Sequence, residues 1–130
     1  MPLQILLNGA KGRMGQVIAS VAGEMNATIY AGLDAGDDLS ASISRCEVII
    51  DFSSPGATAQ VLELAQLHHK PVVLGTTGHT PAEKEHLRSM AAKISCVWAG
   101  NFSVGVNLLF ALTQRAAGIL GADYDAEVVE

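Results

Sequence analysis

The chain has 130 residues, of which 49% are hydrophobic, so it is long enough for one domain with a substantial core. Its net charge of −5 argues against a broad nucleic-acid surface. No apolar stretch is expected to reach the ~20 residues of a membrane span. The apolar run near the N-terminus is too short for a signal peptide and lacks its basic region. We therefore expect a cytoplasmic protein without nucleic-acid or membrane partners.

The first third of the chain predicts a strand, a helix and a second strand. Residues 3–8 (LQILLN) predict a buried strand, because their apolar residues are continuous rather than alternating, which is typical of strands in parallel sheets. A helix is predicted over residues 12–24, because apolar side chains recur at helical spacing. Its apolar face consists of Met14, Val17, Ile18, Val21 and Met25. Residues 27–34 predict a strand, and residues 34–45 predict a loop with at most one short helical turn.

The middle of the chain continues the alternation. Strands are predicted over residues 47–52 and 71–75. Helices are predicted over residues 53–69, which begin with a Ser-Pro signal, and over residues 80–93. The second of these helices starts with an N-cap, a proline at the first helical position and a capping-box acid, which are Thr80, Pro81 and Glu83.

The last third predicts a strand over 94–100, a long apolar helix over 103–120 that is covered on most sides, and a sixth strand over 125–130. Strands that alternate with helices of ~10–15 residues specify a parallel sheet. The predicted fold class is therefore α/β, a Rossmann-like doubly wound sheet in three α/β/α layers. Residues 1–130 are expected to form one domain.

The cysteines and histidines do not indicate a metal site or a nucleophile. Cys46 and Cys96 are 50 positions apart and adjoin apolar runs, which favours two reduced thiols over a disulfide or a catalytic thiol. His79 lies at the presumed active edge but is interpreted as incidental. The remaining histidines are expected at the surface, and they are His68, His69 and His86.

Three glycines follow the first predicted strand in the sequence NGAKGRMG, residues 8–15. Gly9 allows a tight turn, Gly12 lets a phosphate approach the backbone, and Gly15 lets the helix pack close to the sheet. Amide groups at the start of the next helix, together with its dipole, favour an anion. The pattern predicts a dinucleotide-binding loop, and the alternative is a tight strand-to-helix turn without a ligand.

An acidic residue follows the second predicted strand. Asp34 lies 19 positions beyond Gly15, about where an acid holds the ribose hydroxyls of NAD. The next residue is Ala35 rather than arginine, which favours NADH over NADPH. Lys11 and Arg13 are near enough to reach a 2′-phosphate or the pyrophosphate, so NADPH stays open, and a solvated loop acid is the alternative interpretation of Asp34.

The other strand ends are also small, polar or glycine-rich. Phe52 is predicted to pack near the cofactor, Ser53 to offer a hydroxyl and Ser54 to cap the next helix. Gly-Thr-Thr-Gly follows the fourth strand at 75–78, and Ala-Gly-Asn-Phe-Ser closes the fifth at 99–103. The opposite strand ends lack this enrichment. Because open parallel sheets bind ligands at the carboxyl ends of their strands, the asymmetry predicts a site there.

The segments GAKGRMG, DFSSP, GTTG and NFSVGVN resemble the 4-hydroxy-tetrahydrodipicolinate reductase family of bacterial lysine biosynthesis, over essentially the whole chain. The family's own glycine loop has the form G-x-x-G-R-M-G. The resemblance implies the N-terminal NADH- or NADPH-binding domain of an oxidoreductase. The parent enzyme is implied to be a homotetramer that reduces a small dicarboxylate substrate.

The resemblance also implies cofactor contacts at the positions that match the family's motifs. These are Gly9, Ala10, Lys11, Gly12, Arg13, Met14, Asp34, Gly75, Thr76, Thr77, Ala99, Gly100, Asn101 and Phe102. Thr77 matches a threonine that also touches substrate. Ala35 stands where many family members have an arginine for the 2′-phosphate, which again favours NADH.

The family's catalytic His and Lys follow the Glu-Val-Val-Glu segment, and the chain ends at Glu130, before them. The resemblance therefore implies no catalytic residue within the chain. It also implies an absent substrate and tetramerisation domain, and a fragment that binds NADH weakly without turnover.

Two other hypotheses remain open on the sequence alone. One is a different NAD(P)-dependent dehydrogenase of amino-acid metabolism, such as homoserine or aspartate-semialdehyde dehydrogenase, although these lack GTTG followed by NFSVGVN. The other is a non-catalytic nucleotide-sensing module.

Overall fold

The computed structural model describes residues 1–125, 127 and 129. The chain divides into two compact units, Met1–Gly100 and Asn101–Glu130. The first unit contains the sheet and its covering helices, and the second contains one long helix.

Five parallel strands form a single sheet in the order β2-β1-β3-β4-β5. The strands are β1 (Leu3–Asn8), β2 (Ala27–Leu33), β3 (Val48–Asp51), β4 (Val72–Leu74) and β5 (Cys96–Trp98). The chain runs from β1 outward to β2 and then returns to place β3 on the other side of β1. The strand order thus reverses between β1 and β3, which is where doubly wound sheets open a crevice for ligands.

Helices cover both faces of this sheet. They are α1 (Arg13–Val21), α2 (Leu39–Ile43), α3 (Thr58–Leu67) and α4 (Pro81–Ala91). Successive strand residues point to opposite faces. Leu6 therefore lies in one core cluster with residues of α2, α3 and α4, whereas Ile5 and Leu7 lie in a second cluster beside Ile18 of α1. The predicted three-layer α/β/α fold is confirmed.

Local signals located the helices well, with small differences at their ends. α1 ends at Val21 and continues as a 3₁₀ turn over Ala22–Met25, and α3 is preceded by a 3₁₀ turn over Pro55–Ala57. The predicted loop before β3 contains the five-residue helix α2. Asp38 caps that helix by accepting the Ser40 N–H at 2.9 Å.

The apolar face predicted for the first helix is largely exposed. Met14, Val17 and Val21 keep 47%, 55% and 42% of their surface, and Met25 keeps 75%. The fully buried position of α1 is Gly15, where any Cβ would overlap the carbonyl oxygen of Gly9. The helix thus approaches the strand–helix turn through its small residue and packs on the core through the partly buried Ile18, while Met14, Val17 and Val21 stay exposed.

The capping box predicted at the start of α4 is present. The Thr80 hydroxyl accepts the Glu83 N–H at 3.3 Å, and the Thr80 N–H donates to the Glu83 carboxylate at 2.6 Å. Pro81 occupies the first helical position. The backbone hydrogen bond from Thr80 holds the pKa of Glu83 below its ordinary value of 4.5.

This capping box makes the stability of α4 depend on pH. A carboxyl whose pKa is lowered by folding stabilises the fold above its unfolded pKa, and that contribution is lost as the pH falls through the folded pKa. We expect Glu83→Gln to be less stable than the wild type at pH 7, and the difference in melting temperature to vanish in acid well below pH 4.5. Thermal unfolding from neutral pH into acid measures this, with Glu63→Gln, at an exposed position of α3, as the control. A difference in melting temperature between Glu83→Gln and the wild type that does not change with pH would contradict this prediction.

The second unit consists mainly of α5 (Val104–Leu120), which begins where the Ser103 hydroxyl accepts the Val106 N–H at 3.3 Å. None of its side chains is buried, so the expectation of a helix covered on most sides is wrong. By length and composition alone, the segment Val104–Asp123 is apolar enough to cross a membrane, which corrects the expectation that no stretch approaches that length. The core helix of a soluble protein can meet the same criteria of length and composition, so one such segment is weak evidence for a membrane span.

The strand predicted over 125–130 includes residues 126, 128 and 130, which lie outside the described residues, while the described residues 125, 127 and 129 are assigned to no strand.

Both cysteines are free thiols, as predicted. Cys46 is fully buried, and Cys96 is half-buried on β5. Burial raises the pKa of both thiols, although Lys70 lowers that of Cys46 in part. Since the thiolate is the reactive form, neither cysteine has the environment of a nucleophile.

Candidate dinucleotide-binding site

A cavity of about 330 Å³ opens at the carboxyl ends of β1, β2 and β3. Its walls include Gly9 and Gly12 of the glycine loop, residues 34–37 after β2, and residues 52–54 after β3. This is the crevice where the strand order reverses. The structure therefore brings the first three predicted strand ends together.

The glycine loop turns sharply away from β1. Gly9 has φ +84°, and a Cβ at this position would lie 2.5 Å from the Phe52 carbonyl oxygen. The N–H groups of Gly9 and Ala10 both donate to the Leu33 carbonyl, at 2.8 and 3.0 Å. Only glycine tolerates this backbone and this approach at low cost. The loop is thus bound to β2 on one side and to the β3 loop on the other.

The loop leads into α1, whose N-terminus has no capping side chain and no acidic residue in its first turn. Amide groups at such a terminus, with the helix dipole, form an anion site. Arg13 and Met14 start this helix and are exposed. They do not line the cavity, and neither do Ala10 and Lys11.

Asp34 lines the cavity and also forms a hydrogen bond and an ion pair with Lys11 of the glycine loop. Its Oδ1 accepts the Lys11 N–H at 3.0 Å, and its Oδ2 lies 3.8 Å from the Lys11 ammonium. Asp37 accepts the Asp34 N–H at 2.9 Å and lines the same cavity. Two carboxylates therefore face this end of the site, and sequence analysis had identified only the first.

Phe52 separates the glycine loop from the end of β4. Any Cβ on Gly75 would overlap the Phe52 ring, and the Phe52 carbonyl lies against Gly9. The ring thus forms part of the cavity wall, and its contact with a cofactor stays a prediction. Ser54 occupies the N-cap position of the next turn, but its side chain makes no capping bond, so the predicted cap is wrong.

A buried polar network lies beneath these loops. The Asp51 carboxylate accepts hydrogen bonds from the side chains of Asn8, Ser53 and Thr76 at 2.6–2.9 Å. Asp51 and Asn8 were not among the site residues predicted from the sequence. A usable signal was present, because each is a polar residue that directly follows consecutive apolar residues at the end of its strand.

A second cavity of about 280 Å³ lies at the ends of β4 and β5. Thr76, Thr77 and Gly78 line one side, and Trp98, Ala99 and Gly100 line another. Thr77 is exposed, whereas Thr76 is buried. The predicted threonine loop and the first half of the predicted Ala-Gly-Asn-Phe stretch thus share one cavity.

The same cavity is also lined by Lys84 and Arg88, which were not predicted there, and by His79. Lys84 and Arg88 project from α4, one helical turn apart. His79 is only 6% exposed, with its Nε2 2.8 Å from the Thr58 hydroxyl and its ring edge-on to Trp98 at 5.6 Å. His79 is therefore a packed part of the wall rather than an incidental loop residue.

Asn101 and Phe102 belong to the second unit. Asn101 accepts the Ser103 N–H at 2.7 Å, and its own carbonyl accepts from Asn107 at 3.0 Å. These bonds organise the start of α5. A cofactor contact for Asn101 and Phe102 stays a prediction.

Within the described part of the chain, no group of three or more His, Cys, Asp or Glu side chains is placed to hold a metal ion.

Comparison with known proteins gives one consistent family. A family model described as "Dihydrodipicolinate reductase, N-terminus" matches residues 3–102. The 4-hydroxy-tetrahydrodipicolinate reductase of Akkermansia muciniphila is 43% identical over 129 residues, which cover 98% of this chain and 52% of that protein. The enzyme of Geobacter sulfurreducens is 39% identical over 150 aligned residues, covering 98% and 56%. The chain spans about half the length of these relatives.

A solved structure, described as "Dipicolinate bound Dihydrodipicolinate reductase from Paenisporosarcina sp. TG-14", superposes with a TM-score of 0.70. The alignment covers 90% of this chain and 54% of the solved chain, with 20% sequence identity. The likeness is therefore one of fold.

Proposed function

The chain belongs to the family of dihydrodipicolinate reductase N-terminal domains, and from this premise we propose that it is the NAD(P)H-binding part of a longer reductase. The parent enzyme converts 4-hydroxy-tetrahydrodipicolinate to tetrahydrodipicolinate in bacterial lysine (diaminopimelate) biosynthesis. Residues 1–130 form its dinucleotide-binding domain. A cytoplasmic location and a homotetrameric parent are part of the same proposal.

The observation that carries the proposal is the cavity between β1 and β3, with the glycine loop on one side and Asp34 on the other. The residues present fit a dinucleotide. Without a Cβ, Gly9 packs against the Phe52 carbonyl oxygen and Gly12 against the Gly9 carbonyl oxygen, and this tight loop leads into the uncapped start of α1, where a pyrophosphate would bind. Asp34 lines the same cavity and would accept hydrogen bonds from the adenosine ribose hydroxyls.

The cofactor supplies the hydride, and the protein's task is to bind and orient it. The second cavity would hold the nicotinamide end, because it is lined by Thr76, Thr77, Ala99 and Gly100. The exposed Thr77 hydroxyl is the group that this chain presents to the substrate. The catalytic His and Lys and the groups that bind the dicarboxylate are proposed to lie outside residues 1–130.

Titration with NADH tests the proposal. Trp98 is the single tryptophan of the chain and lines the second cavity, so its fluorescence reports on that site. We expect weak saturable binding, with Kd between about 0.1 and 1 mM, and no turnover of substrate by this chain alone. Absence of binding by the folded chain at millimolar NADH would contradict the proposal and favour a sensing or other non-enzymatic module. Turnover comparable to that of an intact reductase would contradict the assignment of catalysis to residues outside the chain.

The cofactor preference is proposed to be NADH. Asp34 and Asp37 both line the adenosine side of the cavity, and Ala35 between them provides no cation for a 2′-phosphate. A phosphate placed beside these two carboxylates is repelled, and the nearby Lys11 ammonium is already paired with Asp34 at 3.8 Å.

We expect Ala35→Arg to raise the affinity for NADPH relative to NADH by at least about tenfold, because a guanidinium pairs strongly with phosphate. Parallel titrations with the two cofactors measure the ratio. Ala19→Arg adds the same charge at an exposed position of α1 and is the matched control. An unchanged ratio in Ala35→Arg would show that residues 34–37 do not face the ribose.

A further inference from the structure

Asp51 is the last residue of β3 and is completely buried. Its Oδ1 accepts a hydrogen bond from the Asn8 amide at 2.8 Å and one from the Ser53 hydroxyl at 2.6 Å. Its Oδ2 accepts one from the Thr76 hydroxyl at 2.9 Å. Among the described residues, no basic side chain forms an ion pair with this carboxylate.

The three donors come from the ends of three different strands. Asn8 ends β1 and directly precedes Gly9, Ser53 follows Phe52 after β3, and Thr76 lies between Gly75 and Thr77 after β4. Further bonds close the network. The Ser53 N–H donates to the Thr76 hydroxyl at 3.1 Å, and the Asn8 amide also donates to the Ser53 hydroxyl at 3.1 Å.

A buried carboxylate is costly unless donors surround it, and each buried donor is costly if it loses its acceptor. The three loops therefore share one low-energy arrangement, in which all their inward groups are paired. No buried side-chain nitrogen or oxygen is left unpaired in the described part of the chain. Loops held this way require little ordering when a ligand binds, which raises affinity.

We propose that Asp51 is a positioning residue for cofactor binding, which locks the glycine loop, the Phe52–Ser53 loop and the threonine loop into one binding-competent arrangement. The assignment of NADH as ligand rests on the proposed function. The network also gives Thr76 and Thr77 different roles. The Thr76 hydroxyl is committed to Asp51, and the exposed Thr77 hydroxyl is the one left to contact a ligand.

Isosteric variants test the proposal. Asp51→Asn replaces one acceptor with a donor, so at least one of the three facing donors loses its partner. Thr76→Val removes the donor to Oδ2, and Thr76→Ser keeps it. NADH affinity is measured by Trp98 fluorescence at a temperature where all variants are folded, together with hydrogen exchange of the Ser53 amide.

We expect Asp51→Asn and Thr76→Val each to weaken NADH binding about tenfold and to accelerate Ser53 exchange. The double variant should resemble either single variant, because both break the same unit. Thr76→Ser should restore near-wild-type affinity. Gln66→Met removes a 2.7 Å bond from Gln66 to the Met90 carbonyl, at the far end of α3, and should lower stability without changing either measurement.

Unchanged NADH affinity and Ser53 exchange in Asp51→Asn would overturn the proposal, as would additive losses in the double variant. If the wild type binds no NADH, the proposed function is wrong, but this result alone does not overturn the role of Asp51. Ser53 exchange still decides whether Asp51 holds the loops together.

Discussion

Gly9→Ala is expected to weaken NADH binding at least about tenfold and to lower the free energy of unfolding by roughly 1–3 kcal/mol. Two costs combine at this position. The backbone has φ +84°, which disfavours any side chain, and the new Cβ would lie 2.5 Å from the Phe52 carbonyl oxygen. Because that oxygen is backbone, the contact is relieved only by moving the glycine loop or the β3 loop, and both line the cavity.

Gly121→Ala separates these two costs. Gly121 has φ +71°, but no atom lies within 4 Å of the position that a Cβ would take, and the residue belongs to the second unit. This control should lose stability through backbone strain alone and keep its NADH affinity. Denaturant unfolding and fluorescence titration of both variants give the comparison. Equal NADH affinity in Gly9→Ala and the wild type would show that the glycine loop does not shape the binding site.

Leu62→Ala is expected to lower the free energy of unfolding by about 2–5 kcal/mol and the melting temperature by roughly 10 °C or more. Leu62 on α3 is completely buried and belongs to the core cluster that joins α2, α3 and α4 to the sheet. Truncation there removes apolar contacts and leaves a cavity that the surrounding side chains fill only in part.

Leu67→Ala on the same helix is the matched control. Leu67 is 71% exposed, so the same change should alter stability by no more than about 0.5 kcal/mol. Chemical denaturation of the two variants measures the contrast. Similar losses in both would mean that α3 does not pack on the sheet through Leu62.

The predictions that succeeded depended on local chemistry. Thr80, Pro81 and Glu83 specify the start of α4 through bonds within one helical turn, so the capping box was predictable from four consecutive residues. Continuous apolar runs located the five strands, because strands buried on both faces need them. The alternation of strands and helices then left few topologies other than a parallel sheet.

The predictions that failed depended on partners far away in sequence. The period of the α1 side chains is helical, but the face that packs inward was decided by the approach of Gly15 to Gly9, which left Met14 and Val17 exposed. Likewise, an apolar helix at 104–120 was predicted correctly, whereas its exposure was not. Periodicity shows that a face exists and does not identify what covers it.

The sequence by itself determined the elements, the strand-end chemistry and the family, because propensity, capping and glycine spacing act over a few residues. Only the tertiary structure decided which side chains at the strand ends form hydrogen bonds with one another. Asn8, Asp51 and Thr76 are separated by 43 and 25 positions, yet parallel pairing of β1, β3 and β4 places their side chains within hydrogen-bonding distance. The buried carboxylate forces those donors into one arrangement, and that constraint exists only once the strands are side by side.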